Sequence, residues 1–403
     1  MAATLTSMDA ALKETWTQDR LEEQLYQGNP FLEDIEKTDK YTVGAQAVTP
    51  IHVSRNAGYT ALPAAGGTLN VAGEQGLAQA AWQYTHHHMQ VKIQGSAIDG
   101  TKDDAVSVAR VVDIETTGAL NDLRRQLTRQ SVTNGDALIS GVRTKGSNAV
   151  IDLNIVDGTN AIERGWLHVG QLIDVGTTAN EVTLLDGVAI TAVSAAATAQ
   201  ITTGTAIATT AGTHFVSMKN SRSGTTSYEM NGLKNIAGDA SSTLGGITVA
   251  AQPSWAPTVD STTTSLTLPA LYNRQRAVQQ AIGSTPDYVL TGLLQAQRMY
   301  ELVQMQVRFA GDSNLGAGNV GAFKFAGMSI NAHPDVKNEE LYMLTKKHLF
   351  IVTSGKPFWQ NSVTGGKALD WIQGEDSYGG KISYRLNLAT NRRNASTAFT
   401  ALT

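Results

Sequence analysis

The sequence predicts an α+β fold: a long uncharged loop feeding one unusually long helix, a small β domain set into the chain, and a mixed second half. The loop is the first observation. From Ser54 to Gly76 there are five glycines and one proline, no helical period, and no charge between Arg55 and Glu74. Two loosely alternating runs flank it, Tyr41 to Val53 and Gln83 to Gln94, and they read as outgoing and returning strands. The second observation is the apolar stripe Ala105, Ala109, Val112, Ala119, Leu120, Leu123 and Leu127. Its spacing predicts a helix from Thr101 or Lys102 to the stop at Asn134-Gly135. The third is the stretch from Asp152 to Val216, where short strand-like runs alternate with the turn pairs Asp157-Gly158 and Asp186-Gly187.

Each element follows from local chemistry. Leu12, Trp16, Leu21 and Leu25 predict a short N-terminal helix that Gly28-Asn29-Pro30 stops. In the long helix, Asp103 and Asp104 suit the positive N-terminal end of the helix dipole, and Arg124, Arg125 and Arg129 suit the other end. About 30 residues at 1.5 Å rise make a rod of roughly 45 Å, longer than an ordinary globular helix. The inserted stretch contributes Leu172-Ile173, Val182 to Leu184, Val188 to Val193 and Gln200 to Thr203 as strands of a small β-barrel or sandwich. Helices are expected at Leu266 to Ala281 and Gly292 to Met305. Strands are expected at Tyr288 to Leu290, Ala322 to Ile330, Leu341 to Leu344, His348 to Val352 and Lys381 to Leu388.

Composition narrows the function. The chain has 403 residues, of which 16% are charged, and a net charge of −4. A typical soluble domain is about 25% charged. The deficit points either to a surface covered by partners or to one solvated by Thr, Ser and Gln. There is no cysteine, which excludes disulfides, thiolate metal sites and a Cys nucleophile. Met1 to Asp9 lacks a basic segment followed by an apolar one, so no secretory signal is expected there. The stretch Val188 to Ala211 is broken by Ser194 and Gln200 and does not read as a membrane span. A negative balance argues against general nucleic-acid binding while leaving a local basic face open.

No catalytic constellation stands out. Gly316-Ala-Gly-Asn-Val-Gly321 spells a dinucleotide fingerprint, but an alternating strand pattern follows it where a helix is required, so it reads as a loop. His86-His87-His88 is the obvious metal candidate. On a strand only His86 and His88 share a face, and no further ligand cluster lies nearby, so polar strand residues near an interface is the preferred reading. There is no nucleophile elbow and no His-Glu-x-x-His. Arg308 and Arg392-Arg393 fit nucleic-acid contacts, intersubunit salt bridges or solvated charge. An excursion as polar and uncharged as Ser54 to Gly76 has little to pack on within its own chain, which points to a structural subunit that lies on a neighbouring copy.

The order of these pieces resembles the major capsid proteins of tailed bacteriophages, the Hong Kong 97-type fold. The matching pieces are an N-terminal arm (1–50), an extended loop (51–92), a spine helix within a peripheral domain (93–151), and a mixed peripheral and axial part (217–403). That last part carries Tyr272-Asn-Arg-Gln-Arg-Ala-Val278, Pro286-Asp-Tyr-Val-Leu290, Ala322-Phe-Lys-Phe-Ala-Gly327, Asp335 to Phe350 and Leu386-Asn-Leu-Ala-Thr-Asn-Arg-Arg393. The segment 152–216 looks like the inserted β domain that some such proteins carry.

The resemblance implies a subunit without catalysis or cofactor, assembling as hexamers and pentamers into an icosahedral shell around double-stranded DNA. Its partners would be its own copies, a separate scaffolding protein, a portal and decoration proteins, with weak non-specific contact to DNA and none to membrane. Assembly would occur in the host cytoplasm. Glu74, Trp82, Arg124, Arg125, Arg129, Arg308, Arg392 and Arg393 are the candidate intersubunit contacts. Some members crosslink through a lysine on the extended loop. Between Ser54 and Val91 this chain has no lysine, so no such crosslink is expected. The alternative is a surface-layer or receptor-binding β-rich protein; an enzyme fits least.

Overall fold

The computed structural model describes residues 29–64, 66–96, 105–143, 146–154, 161–194, 199–210, 212–304, 324–360 and 369–403. The expected helix over Leu12 to Tyr26, the start of the long helix, Asp157-Gly158 and the Gly316 to Gly321 loop lie outside these residues.

The spine helix runs Ala105–Val132, about 42 Å at 1.5 Å per residue. Its predicted stripe is the buried one: Val112, Leu120, Leu123 and Leu127 join the main apolar cluster. Gly135, at φ 72°, ends it where the sequence placed a stop. Across the helix lies the body sheet, built on the strand Ser377–Thr390. That strand pairs through Ser377 to Leu386 with Thr85–Gln94 on one side and through Leu386 to Thr390 with Leu349–Thr353 on the other. Glu36–Thr38 adds a parallel edge. Phe31 and Leu32, in the short helix Pro30–Asp34, are buried in the same core. The Asn29 carboxamide caps that helix and also donates to Thr128 on the spine.

A second six-stranded sheet has the order Thr258–Asp260, Thr397–Phe399, Leu341–Leu344, Tyr288–Thr291, Met328–Ala332, Lys324–Phe325. Helices Leu268–Ile282 and Leu293–Gln304 flank it, and its own apolar cluster includes Leu271, Val289, Met299 and Phe399. The first helix has a Thr267 cap and Gly283 in the left-handed region at its end. Asp260 staples sheet to helix. It accepts from the backbone N–H groups of Thr262 and Thr263, from their hydroxyls, and from Arg274 at 2.7 Å. Burial works against its charge, but these donors outweigh it and hold the carboxyl far below the usual carboxylate range.

The third sheet, also six-stranded, spans Leu138–Gly141 to Phe215–Met218. Its two outer strands meet through a bridge between Val142 and Leu153. Its apolar cluster contains Ile139, Ile151, Trp166, Ile173, Ile201 and Val216. The sheet therefore begins at Leu138, ahead of the expected 152, because Leu138–Gly141 pairs with Phe215–Met218 and Gly146–Asp152 with Gln200–Thr209. Asp186-Gly187 is not a turn. It lies inside the strand Leu185–Ser194, where Gly187 at φ 60° donates its N–H to the buried Asp174 carboxylate at 2.7 Å.

The extended loop also differs from its expected limits. Its outgoing strand is Gln46–Ser54 and its returning strand is Gly76–Gln83, paired in register from Gln46–Gln83 outward. The expected return, Gln83 to Gln94, splits at Tyr84, and everything after it belongs to the body sheet. The split is physical: Trp82 and Tyr84 both turn into the core, so the ribbon ends where its side chains become anchors.

Candidate functional site

The ribbon 46–83 presents the surface best suited to a partner. At its base Trp82, 1% exposed, donates from Nε1 to Thr49 Oγ1 at 2.7 Å, and Ala81 N–H bonds the Gly245 carbonyl at 3.0 Å. Beyond Ser54 the ladder stops and side chains hold the tip. Asn56 Oδ1 accepts from the N–H groups of Gly58 and Gly73, at 2.7 and 3.0 Å. Asn70 donates from Nδ2 to the Tyr59 carbonyl and from its N–H to Thr60 Oγ1, both at 2.8 Å. Asn56 and Asn70 thus tie the two arms of the tip together without a sheet. What the tip offers is apolar: Tyr59, Leu69 and Val71 are 84, 70 and 89% exposed, and Leu77, opposite His52 in the ladder, is 72% exposed. Leu69 and Val71 stand two apart on either side of Asn70 and so share a face if extended. A two-stranded ribbon with bare apolar side chains is marginal alone and stable once covered. Glu74 lies exposed beside them.

The other candidate contacts divide. Arg124 is half-buried on the spine, and Arg125 and Arg392 are exposed. Arg308 lies outside the described residues. Three do not reach the surface, which corrects the sequence reading. Trp82 anchors the ribbon inside its own chain. Arg129 is fully buried and paired with Glu229, also buried, joining the spine to the segment that returns from the third sheet. Arg393, 0% exposed, donates to the carbonyls of Asn235, Ile236, Asp239 and Ser242. Net charge in a sequence does not distinguish a guanidinium that meets a neighbour from one that ties up carbonyls. The sequence signal for the apolar tip is single large apolar residues in a stretch with no period to bury them.

The three histidines lie in the body sheet. His86 and His88 are exposed on one face with ring centroids 6.3 Å apart, and His88 Nδ1 lies 2.9 Å from Ser383 Oγ. Among the described residues no group of three or more His, Asp or Glu is placed to hold a metal. His87 points inward. Burial first, then the charges of His88, Arg129 and His86, lower its pKa to about 4. A base held below its unfolded value of 6.5 favours the unfolded state once protonated. Its contribution is therefore intact above pH 6.5 and lost as pH falls towards 4, to at most roughly 3 kcal/mol. Urea unfolding at pH 7 and at pH 4.5 should show this loss, and His87→Gln should reduce it. An unchanged pH dependence in the variant would contradict the assignment.

Among the described residues no helix is long and apolar enough to cross a membrane. No family model matches the chain, and no curated protein matches it. Solved structures do. A chain of the cyanophage A-1(L) capsid asymmetric unit superposes with a TM-score of 0.53 at 12% identity, over 93% of this chain and 92% of that one. A Mycobacterium phage Adephagia structure gives 0.46 at 10%, over 93% and 90%. The capsid of a native GTA particle gives 0.46 at 9%, over 92% and 88%. At such identities the likeness is one of fold. That fold is a mixed α+β capsid fold. It is the fold of that cyanophage capsid chain, which agrees with the fold class that the order of elements in the sequence predicts.

Proposed function

We propose that the chain is the major capsid protein of a tailed bacteriophage, assembling in the host cytoplasm as hexamers and pentamers into an icosahedral shell around double-stranded DNA. The observation that carries this is the ribbon 46–83: paired along its two strands, anchored at its base, and bare at an apolar tip. In a closed shell each such tip lies on an adjacent copy, and many modest contacts engaged together give high avidity. The sheet that starts at Leu138 is read as the inserted small β-barrel of this subunit. A separate scaffolding protein, a portal and decoration proteins are the other partners, and DNA is held by weak, non-specific contact.

Negative-stain electron microscopy and sedimentation velocity of the purified chain, with and without a scaffolding protein, test the proposal. Closed shells, tubes or capsomer rings are the expected result. A compact monomer under both conditions would refute it and favour a receptor-binding role.

A further inference from the structure

We propose that residues 138–227 form a hinged module, joined to the body at one point and held against it by a polar latch centred on Arg164 and Trp166. Four observations place the parts. The module has its own apolar cluster, and among the described residues no body side chain belongs to it. The hairpin Arg222–Ser223 with Thr226–Ser227 goes with the module, because Arg222 donates to the Thr178 carbonyl at 2.7 Å and Gly224 N–H to Glu181 at 2.6 Å.

Both chain crossings run through one place. The outgoing one passes Gly135 and Ala137, at φ 72° and 61°, and an alanine there is strained. The returning one passes Glu229 and Met230. A Cβ on Gly135 would come within 2.8 Å of the Met230 carbonyl, so the two crossings touch. Element ends that absorb backbone rotation at a single point are what a hinge requires.

The second attachment is polar and lies away from that point. Arg164 donates from Nη1 to the Asp335 carbonyl and from Nη2 to the Val336 carbonyl, both at 2.9 Å. Trp166 Nε1 donates to Asp335 Oδ1 at 3.0 Å, and the Arg164 guanidinium stacks 5.4 Å over the Trp166 ring. Arg125 of the spine donates to the Arg164 carbonyl. Arg125 is seven residues, ~10 Å, along the spine from its end at Val132. Between hinge and latch lies a cleft of about 260 Å³, lined by Asn134, Asp136, Phe215, Trp166, Lys234 and Lys337. A tight apolar interface would leave no such gap. The fold therefore lets the module change its angle to the body without unfolding either.

The chain has no cysteine, so two introduced thiols can be labelled alone. Spin labels at the exposed positions Val150 in the module and Leu293 in the body report their separation in the full-length, unassembled chain. The parent should give one narrow distance distribution, and Arg164→Ala a broader one with a longer mean. Hydrogen exchange of amides in 172–176 and 200–209 should stay within about twofold of the parent. An unchanged distribution, or loss of protection throughout the module, would overturn the proposal. If Arg164→Ala does not fold, Trp166→Phe removes one latch bond and keeps the ring. Intermediate broadening supports the latch, and none refutes it.

Discussion

Replacing Leu69 and Val71 together by aspartate should abolish shells while leaving the melting temperature of the unassembled subunit within about 2 °C of the parent. The argument begins with burial. Both side chains are already in water in the free subunit, at 70 and 89% exposure, so folding gains almost nothing from them. Covered by an adjacent copy, each contributes about 1.5–3 kcal/mol. A carboxylate in the same place has to be desolvated without a partner, which turns the gain into a penalty. The loss recurs at every ribbon of a closed shell, so a change that is moderate for one contact is decisive for the particle. Electron microscopy and sedimentation velocity read the assembly, and a thermal melt reads the subunit. Normal shells from the double variant would remove the tip as the contact. A subunit that melts much lower would mean that the tip packs within its own chain.

The sequence made most of this architecture legible, and the failures share a cause. Patterns with a period were read correctly: the spine stripe at Val112, Leu120, Leu123 and Leu127 is the buried one, and the helices at 268–282 and 293–304 fall within two residues of their expected limits. Where the error was large, a tertiary contact decided. Strand 85–94 alternates like any returning strand, yet its partner is Ser377–Thr390, almost three hundred residues away. The third sheet recruits Leu138–Gly141 and Gly146–Asp152, which on composition alone belong with the helix before them. Asp186-Gly187 has the chemistry of a turn, but the buried Asp174 carboxylate accepts from the glycine N–H and keeps it within a strand. For the candidate contacts the arginines were the hardest to assign, because a guanidinium suits a partner's carboxylate and a bundle of its own chain's carbonyls equally well.

Arg392 and Arg393 show how far apart two such neighbours can fall, and they give the largest expected effect on folding. Arg393→Ala should destabilise the subunit by at least about 4 kcal/mol, and Arg392→Ala should leave it nearly unchanged. The Arg393 guanidinium closes the end of the short helix Leu233–Ala237, where the carbonyls of Asn235 and Ile236 point outward without helical partners. It also collects the carbonyls of Asp239 and Ser242 and the Ser242 hydroxyl, so one planar group fastens the whole 235–242 turn to the C-terminal strand region. Burial lowers its pKa to about 10, against the opposing pull of Asp239, and it is still charged at neutral pH. Truncation leaves these four carbonyls short of a donor and removes a fully buried side chain, so a cavity is left behind. Lysine brings three donors from one point and cannot span the carbonyls that the fork reaches, so Arg393→Lys should recover less than half of the loss. Urea unfolding of the unassembled chain compares all three variants with the parent. Equal midpoints for the Arg392 and Arg393 variants would mean that the buried guanidinium is not what holds the turn.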